Sequence, residues 1–286
     1  RFPMEKYARL RQRLRASGQF ADADFRSPMA ATTEQLCHAH AAEYVARVCR
    51  GDLSAAEIRR IGFPWSEGMV ERSRRSAGAT IAACRIALQE TCAINLAGGT
   101  HHAHADHGEG FCVFNDAVIA ARVLRAEGCV QRLAVVDCDV HQGNGTANIC
   151  AEDASVFTFS IHAQKNFPFA KAISDLDVGL PDGTGDAVYL QQLAWALDQV
   201  FARARPDLVI YLAGADPYCD DRLGRLALSF DGLAARDEMV FAACRDRRVP
   251  VAVAMAGGYA HVIDDTVSIH CRTVLVARRI FDPLLG

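Results

Sequence analysis

The chain has 286 residues, of which 51% are hydrophobic and 23% are charged. This balance is typical of a globular protein and excludes a collagen-like, fibrous or largely disordered chain. The net charge of −3 gives no electrostatic basis for a nucleic-acid partner or for binding to a membrane surface. No apolar run reaches about 18 residues, so the sequence predicts no membrane-spanning helix.

The eleven cysteines are an odd number, and no C-x-x-C pair occurs. Neither a disulfide framework nor a cysteine zinc site is therefore predicted, and we interpret these residues as reduced, small hydrophobic side chains of a cytoplasmic protein. The start of the chain, Arg1-Phe2-Pro3, has no apolar signal-peptide core. Because the sequence does not begin with Met, we expect further residues upstream.

The first third of the sequence is predicted to be helical. Ser54-Ala55-Ala56-Glu57 has the pattern of a capping box, which predicts the start of a short helix. A longer helical stretch follows over residues 66–92. Gly78 lies inside it and is either a break in the helix or a point of close packing.

From about residue 93, short apolar runs alternate with amphipathic helices such as 187–203. The runs are rich in β-branched residues and bounded by Gly, Pro or Asp, which is typical of buried parallel strands. They lie at residues 93–98, 132–138, 155–161, 207–213 and 250–256. This alternation predicts an α/β fold with a mainly parallel central sheet and helices on both faces, as one domain over residues 1–286.

Residues capable of chemistry come at the end of each of these five runs. The segments are Gly98-Gly99-Thr100-His101-His102, Asp137-Cys138-Asp139-Val140-His141, Ser160-Ile161-His162, Ala213-Gly214-Ala215-Asp216 and Gly257-Gly258-Tyr259. Open α/β sheets bind ligands at the carboxyl ends of their strands, so we expect the five segments to converge on one crevice.

The segment after the second run has the composition of a metal site. Asp137, Asp139 and His141 share one face while the chain stays extended, and Asp216 could complete the site from a different strand. The alternatives are ordinary ones: an Asp at a strand end often caps the next helix, and Asp216 precedes Pro217 as turn residues do. Spacing alone does not decide which two of the three aspartates bind metal.

The adjacent pair His101-His102 could supply a general base and a positively charged partner. Each imidazole then needs an acceptor that fixes its other nitrogen, and Asp137 and Asn144 are the candidates.

Two further features are open to two interpretations each. His104 and His107 belong either to a solvated loop or to an adventitious transition-metal site. Tyr259, in what the sequence predicts to be a flexible, exposed turn, is either a packing residue with a solvated hydroxyl or a hydrogen-bond donor to a developing oxyanion.

The sequence resembles the zinc-dependent histone deacetylase superfamily in the identity of these residues and in their order along the chain. The matching blocks, which span essentially the whole chain, are the five segments above together with Gly110-Phe111-Cys112 and Gln142-Gly143-Asn144-Gly145. Three other segments are similar to the class IV branch and its bacterial relatives: Arg1–Tyr7, Arg60–Ser66 and Asp221–Gly224.

The resemblance implies a three-layer α/β/α arginase–deacetylase fold and hydrolysis of the amide of an N-ε-acyl-lysine in a protein by metal-activated water. By position, it implies that Asp139, His141 and Asp216 bind zinc. It also implies that His101 pairs with Asp137 and that His102, the general base, pairs with Asn144. Tyr259 would be the group that polarises the substrate carbonyl. It further implies a substrate tunnel at Gly110, Phe111, Phe167 and Gly258, and a structural potassium ion near Asp137 and Ser160.

The sequence departs from the family in two places. Asn144 stands where some branches have Asp, which should leave His102 less basic. The strand that usually precedes the Arg-Phe-Pro segment is missing from this sequence.

Other functions remain open at this stage. An acylpolyamine or other small-amide deacetylase could use the same fold, and a non-catalytic module that binds acyl-lysine or a metal is a further alternative. An arginase-like enzyme with two metals fits less well, because the aspartates are too few. The sequence fixes neither the acyl chain, nor the choice between zinc, iron and manganese, nor the oligomeric state.

Overall fold

Six parallel strands form the central sheet, in the order β1-β6-β5-β2-β3-β4. The computed structural model describes residues 2–282; Arg1, which begins one of the family-like segments, and residues 283–286 lie outside the described part. The strands are β1 Cys92–Asn95, β2 Leu133–Asp137, β3 Val156–Ala163, β4 Leu176–Leu180, β5 Leu208–Leu212 and β6 Val251–Ala254. Because all neighbouring strands are parallel, their carboxyl ends meet at one edge of the sheet.

Helices cover both faces of this sheet. Within residues 2–282 they are α1 Glu5–Ala16, α2 Thr33–Cys37, α3 Ala42–Arg50, α4 Ala55–Ile61, α5 Glu67–Glu90, α6 Asp116–Ala126, α7 Asn144–Cys150, α8 Asp186–Ala204, α9 Phe230–Asp246 and α10 Ile263–Phe281, with a 3₁₀ turn at Asp22–Asp24. The prediction of a three-layer α/β fold with a parallel sheet is confirmed. None of the described helices is both long and apolar enough to cross a bilayer.

The side chains of each strand alternate between two hydrophobic cores. In β2, Ala134 and Val136 pack into the core that α1, α8, α9 and α10 cover, whereas Leu133 and Val135 pack into the core beneath α3, α5 and α6. This alternation follows from the two-residue period of a strand. Burial on both faces explains why the sequence of β2 is a continuous apolar run.

One strand, β4, was not predicted from the sequence. Among the strands of residues 2–282, β4 pairs with β3 alone at the edge of the sheet, and its side chains alternate between buried Val178 and Leu180 and exposed Asp177. Such a half-exposed edge strand lacks the apolar run by which the other strands were found. The third predicted run was also too short, because β3 continues to Ala163 and thus contains Ser160 and His162.

The helical predictions for the first third are confirmed. Ser54 caps α4: its hydroxyl accepts a hydrogen bond from the Glu57 amide, and the Glu57 carboxylate accepts one from the Ser54 amide. Helix α5 continues unbroken through Gly78, so this glycine is a point of close packing. A Cβ atom there would lie 1.9 Å from the carbonyl oxygen of Met29, in the segment that crosses the helix.

We expect Gly78→Ala to lower the free energy of unfolding by about 1–2 kcal/mol. Ala favours a helix over Gly by about 1 kcal/mol, but overpacking costs about 1–3 kcal/mol, and a methyl group 1.9 Å from a fixed backbone oxygen belongs in the upper part of that range. Gly68→Ala in the same helix is the matched control, because its Cβ would meet no atom closer than the Ser66 hydroxyl at 3.9 Å. Urea denaturation should show destabilisation of Gly78→Ala only; equal stability of the two variants would contradict the close contact.

Candidate metal and catalytic site

Three buried side chains meet at the carboxyl edge of the sheet. The Nδ1 atom of His141 lies 2.9 Å from Oδ1 of Asp139 and 3.4 Å from Oδ2 of Asp216. Two ligands held about 2.0–2.1 Å from a tetrahedral zinc ion are about 3.3 Å apart, so these separations suit a shared cation. The structure thus groups Asp139 and Asp216 with His141. The carboxylate of Asp137 accepts from the Asp139 amide and turns toward His101 instead.

The charges of this group also favour a cation. Two carboxylates are buried side by side, and burial together with the charge of Asp139 raises the pKa of Asp216 to about 6. Burial opposes protonation of His141, but the two carboxylates outweigh it and raise the pKa of His141 to about 10. Among the described residues, none makes a hydrogen bond to the buried Oδ2 atom of Asp216. A divalent metal would supply the missing positive charge and the missing partner.

The glycine turn after β6 closes this site from one side. The Gly257 amide donates a hydrogen bond to Oδ2 of Asp139 over 2.8 Å, and a Cβ atom on Gly257 would lie 1.9 Å from Oδ2 of Asp216. The turn was predicted to be exposed and flexible, which is wrong: it is buried, since α10 packs over it and a Cβ on Gly258 would lie 2.6 Å from Thr266.

The two histidines after β1 lie next to the metal-ligating group, and each has the acceptor that the sequence offered. Nδ1 of His101 is 2.6 Å from Oδ2 of Asp137, and Nδ1 of His102 is 2.7 Å from Oδ1 of Asn144. The ring centroids of the pair are 4.1 Å apart. Both side chains are buried.

Their surroundings give the two imidazoles opposite protonation states. Burial disfavours the charged form of His101, but Asp137 and Asp139 outweigh it and raise the pKa of His101 to about 9. For His102, burial and the positive charges of His101 and His141 act together and lower its pKa well below 6.5. At neutral pH one ring is therefore charged and its neighbour is neutral, which is the arrangement of an electrostatic partner beside a base.

Asp116, at the start of α6, holds the loop that carries the pair, and the sequence analysis did not find it. Its buried carboxylate accepts hydrogen bonds from the amides of Gly99 and Thr100, at 3.0 and 2.7 Å, and from the hydroxyl of Thr80. An Asp in the first turn of a helix is an ordinary feature, so the sequence contained no specific signal for this role.

Tyr259 is fixed at both ends of its backbone. Its amide donates to Oδ2 of Asp221 over 2.6 Å, and its carbonyl accepts from Nε of Arg222 over 2.9 Å. Burial and the nearby charges of Asp216 and Asp139 raise the pKa of the Tyr259 hydroxyl well above 10. The hydroxyl therefore remains protonated and can act as a hydrogen-bond donor.

A second residue missed by the sequence analysis is Lys6 of α1. Its side chain is 1% exposed, its Nζ donates to the carbonyl of Ala256 over 3.0 Å, and the ammonium lies 5.5 Å from the ring centroid of Tyr259. Burial lowers the pKa of Lys6 to about 8, against the opposing effect of Asp216 and Asp139. A buried cation thus lies behind the tyrosine. The sequence contained two weak signals for it: the rarity of lysine, with three in the chain, and its place in the family-like segment Arg1–Tyr7.

A cavity of about 1300 Å³ reaches these groups and extends away from them along α1, α5 and α10. Gly110 and Phe111, two of the predicted tunnel residues, line it together with Tyr259 and both histidines of the pair. Phe167 lies against the pair instead, with its ring centroid 4.9 Å from that of His102 and its edge near Gly110. Gly258 packs toward Thr266, away from the lining.

The two predicted potassium ligands lie side by side. Asp137 and Ser160 are register partners on β2 and β3, and both are buried. The Ser160 hydroxyl lies 3.0 Å from Nδ1 of His162, and the Asp137 carboxylate is shared between His101 and the Asp139 amide.

Comparison with known proteins gives a consistent result. The histone deacetylase domain family matches residues 1–274. An uncharacterized protein of Picosynechococcus sp. is 43% identical, covering 98% of this chain and 94% of its own. Histone deacetylase 2 of Arabidopsis thaliana is 30% identical over 97% of this chain and 75% of its own, and the histone deacetylase-like amidohydrolase of Pseudomonas aeruginosa is 32% identical over 90% and 71%.

A solved structure shows the same fold. The crystal structure of an HDAC homolog complexed with SAHA is 22% identical, with a TM-score of 0.81 over 96% of this chain and 81% of that chain. The resemblance inferred from the sequence motifs is confirmed by the family match and the two deacetylase relatives. The chain belongs to the histone deacetylase family, whose members are hydrolases of amide bonds.

Proposed function

We propose that this protein is a zinc-dependent deacylase that removes acetyl or longer acyl groups from the N-ε-acyl-lysine side chains of proteins. The observation that carries the proposal is the neutral, buried His102 directly beside a buried Asp139–His141–Asp216 group whose charges call for a cation. Around these groups lies a cavity with an aromatic wall.

Asp139, His141 and Asp216 would hold the zinc ion, through the ligand atoms that already face one another. When bound, zinc would polarise the scissile carbonyl and the attacking water. The carboxylates of Asp139 and Asp216 would cancel the formal charge of Zn²⁺, so water bound there would be less acidic than water on zinc with three neutral ligands. A separate base and a separate oxyanion donor are therefore needed.

The remaining steps belong to the side chains of this protein. His102 is neutral, and its Nδ1–H is held by Asn144, which leaves the Nε2 lone pair to accept a proton from water. His101, kept protonated by Asp137, favours the negative charge that develops nearby. The Tyr259 hydroxyl donates a hydrogen bond to the developing oxyanion. His102 then returns its proton to the leaving amine.

The aromatic lining of the cavity supports a substrate with an apolar chain. The rings of Phe2, Phe63, Phe111 and Tyr259 form one cluster, in which Phe2 and Phe111 each lie beside the other three with centroids 5.3–6.1 Å apart. Such a wall would bury the four methylenes of an acyl-lysine at about 0.8 kcal/mol each. The deacetylase relatives in Arabidopsis and Pseudomonas, and the HDAC homolog that binds SAHA, support the same substrate class.

Three further expectations from the sequence remain part of this proposal. A structural potassium ion would lie at Asp137 and Ser160, between adjacent strands. The protein would act in the cytoplasm, in keeping with its free cysteines. Residues 1–286 would form one catalytic domain around the single sheet.

A panel of acyl-lysine peptides tests the proposed function. The zinc-loaded protein should hydrolyse peptides with acetyl or longer acyl-lysine, and a chelator should abolish turnover until zinc is restored. Acetylated polyamines serve as competing substrates. Faster hydrolysis of the polyamines would favour the small-amide alternative, and no turnover of any amide at full zinc loading would favour a non-catalytic binding module.

A further inference from the structure

A second group of metal-ligating side chains lies on the loop that follows the histidine pair. His104, His107 and Glu109 are half-buried, and one ligand atom from each lies within 4.8 Å of the others. Nε2 of His104 is 3.6 Å from Oε2 of Glu109, close to the roughly 3.3 Å that separates two ligands of a tetrahedral metal. The rings of His104 and His107 are stacked, with centroids 4.3 Å apart.

The hydrogen bonds of this loop suit metal binding. Nδ1 of His107 lies 2.6 Å from the carboxylate of Asp106, and Nδ1 of His104 lies 3.2 Å from the amide of Asn148. The Asp106 carboxylate accepts from Nδ1–H of His107 and leaves the lone pair of that ring at Nε2, as is usual for metal-binding histidines. The group that faces Nδ1 of His104 is the Nδ2 donor of Asn148, so His104 offers its lone pair at Nε2 once this exposed amide turns its oxygen toward Nδ1–H. The loop is also closed by a hydrogen bond of 2.8 Å from the His104 amide to the His107 carbonyl.

We propose that His104, His107 and Glu109 form an accessory site for a divalent transition-metal ion such as Zn²⁺, separate from the Asp139–His141–Asp216 group. Two imidazoles and one carboxylate are a common zinc donor set and leave a fourth position for water. The two rings are stacked, so His107 would have to turn about its Cβ–Cγ bond to point its Nε2 atom toward the shared ion, and the exposed Asp106 carboxylate would have to move with it. The exposed side of the cluster gives the ion access from solvent.

Occupation of this site would reach the catalytic base through Asn144. Nδ2 of Asn144 lies 3.2 Å from Nε2 of His104 and 3.3 Å from Oε2 of Glu109, while its oxygen holds His102. Nε2 of His104 has one lone pair, so it cannot accept from Asn144 and bind a metal at the same time. The accessory ion therefore releases one anchor of the amide that positions His102. This consequence, unlike the binding site itself, rests on the proposed function.

Metal stoichiometry tests the site independently of activity. Equilibrium dialysis against Zn²⁺ should give two ions per chain for the wild type, and one each for His107→Gln and for Asp216→Asn. Double replacement should give none, and the control His38→Gln should keep two. Co²⁺ bound to Asp216→Asn should show the intense visible absorption of a tetrahedral site. One ion in the wild type, or a second ion that survives His107→Gln, would overturn the proposal.

The same variants distinguish this site from an arginase-like pair of metals. An ion that shared Asp216 would be lost together with the first ion in Asp216→Asn, whereas the accessory ion should remain. The effect of the accessory ion on His102 is tested by titrating the protein with Zn²⁺. A second equivalent should lower kcat/KM of the wild type about tenfold, whereas kcat/KM of His107→Gln should stay at the value that this variant has with one equivalent. An equal response of both proteins would refute the coupling to Asn144. If no amide is turned over, the proposed function fails while the stoichiometry still decides the site.

Discussion

His102→Ala should lower kcat by about 10²–10⁴-fold, the range over which a positioned general base contributes to catalysis. His102 is the neutral member of the histidine pair, because burial and the charge of His101 lower its pKa well below 6.5. Steady-state kinetics on the best acyl-lysine peptide measures the loss. Zinc content should stay at the wild-type value, since His102 is not one of the three residues of the Asp139–His141–Asp216 group.

The pH profile gives a second check of the same role. A base must be unprotonated to act, so a pKa below 6.5 means that kcat/KM of the wild type holds as pH falls from 8 to 6.5 and declines only below that. Asn144→Asp is the matched variant, because a carboxylate in place of the amide oxygen 2.7 Å from Nδ1 should raise the pKa of His102. Its acid limb should move to higher pH. If the acid limb of the Asn144→Asp profile does not move, the general base is another group. The same conclusion follows if His102→Ala keeps more than a tenth of the wild-type kcat.

The sequence predicted those parts of the site that combine a strand end with an unusual residue pattern. The Asp137–His141 segment, Asp216 and the histidine pair each follow a buried apolar run, and parallel strands bring their carboxyl ends to one edge. Spacing left open which aspartates belong with His141. That choice depends on backbone turns after the strand, which direct Asp137 to His101 and leave Asp139 beside Asp216.

The residues that were missed act across long sequence separations. Lys6 reaches the carbonyl of Ala256, 250 residues away, and Asp116 binds the amides of a loop that precedes it by 16 residues. Neither a lysine nor an aspartate in the first turn of a helix indicates a role at a distant site, so only the packing of helices on the sheet gives Lys6 and Asp116 their functions. Tyr259 illustrates the same limit, because a Gly-Gly-Tyr turn looks exposed until α10 covers it.

Tyr259→Phe should lower kcat by about 10²–10³-fold, the usual cost of removing one donor to a developing oxyanion. Asp221 accepts from the Tyr259 amide and Arg222 donates to the Tyr259 carbonyl, and neither bond involves the side chain. The Phe variant should therefore keep its backbone position and lose only the hydroxyl. Because nearby carboxylates and burial raise the pKa of this hydroxyl well above 10, its contribution should persist across the neutral and mildly alkaline range. Initial rates from pH 7 to 9 measure it.

Tyr44→Phe is the matched control for loss of a buried hydroxyl. The Tyr44 hydroxyl donates to the carbonyl of Val113 over 2.8 Å and so contributes to the fold, with an expected cost near 1 kcal/mol when it is removed. Its kcat should stay within about twofold of wild type, whereas that of Tyr259→Phe should not. Both variants should bind zinc as the wild type does, because neither tyrosine belongs to the Asp139–His141–Asp216 group. Near-normal turnover by Tyr259→Phe would mean that the oxyanion is stabilised without the tyrosine, and the buried Lys6 ammonium, 5.5 Å from its ring, would be the next group to replace.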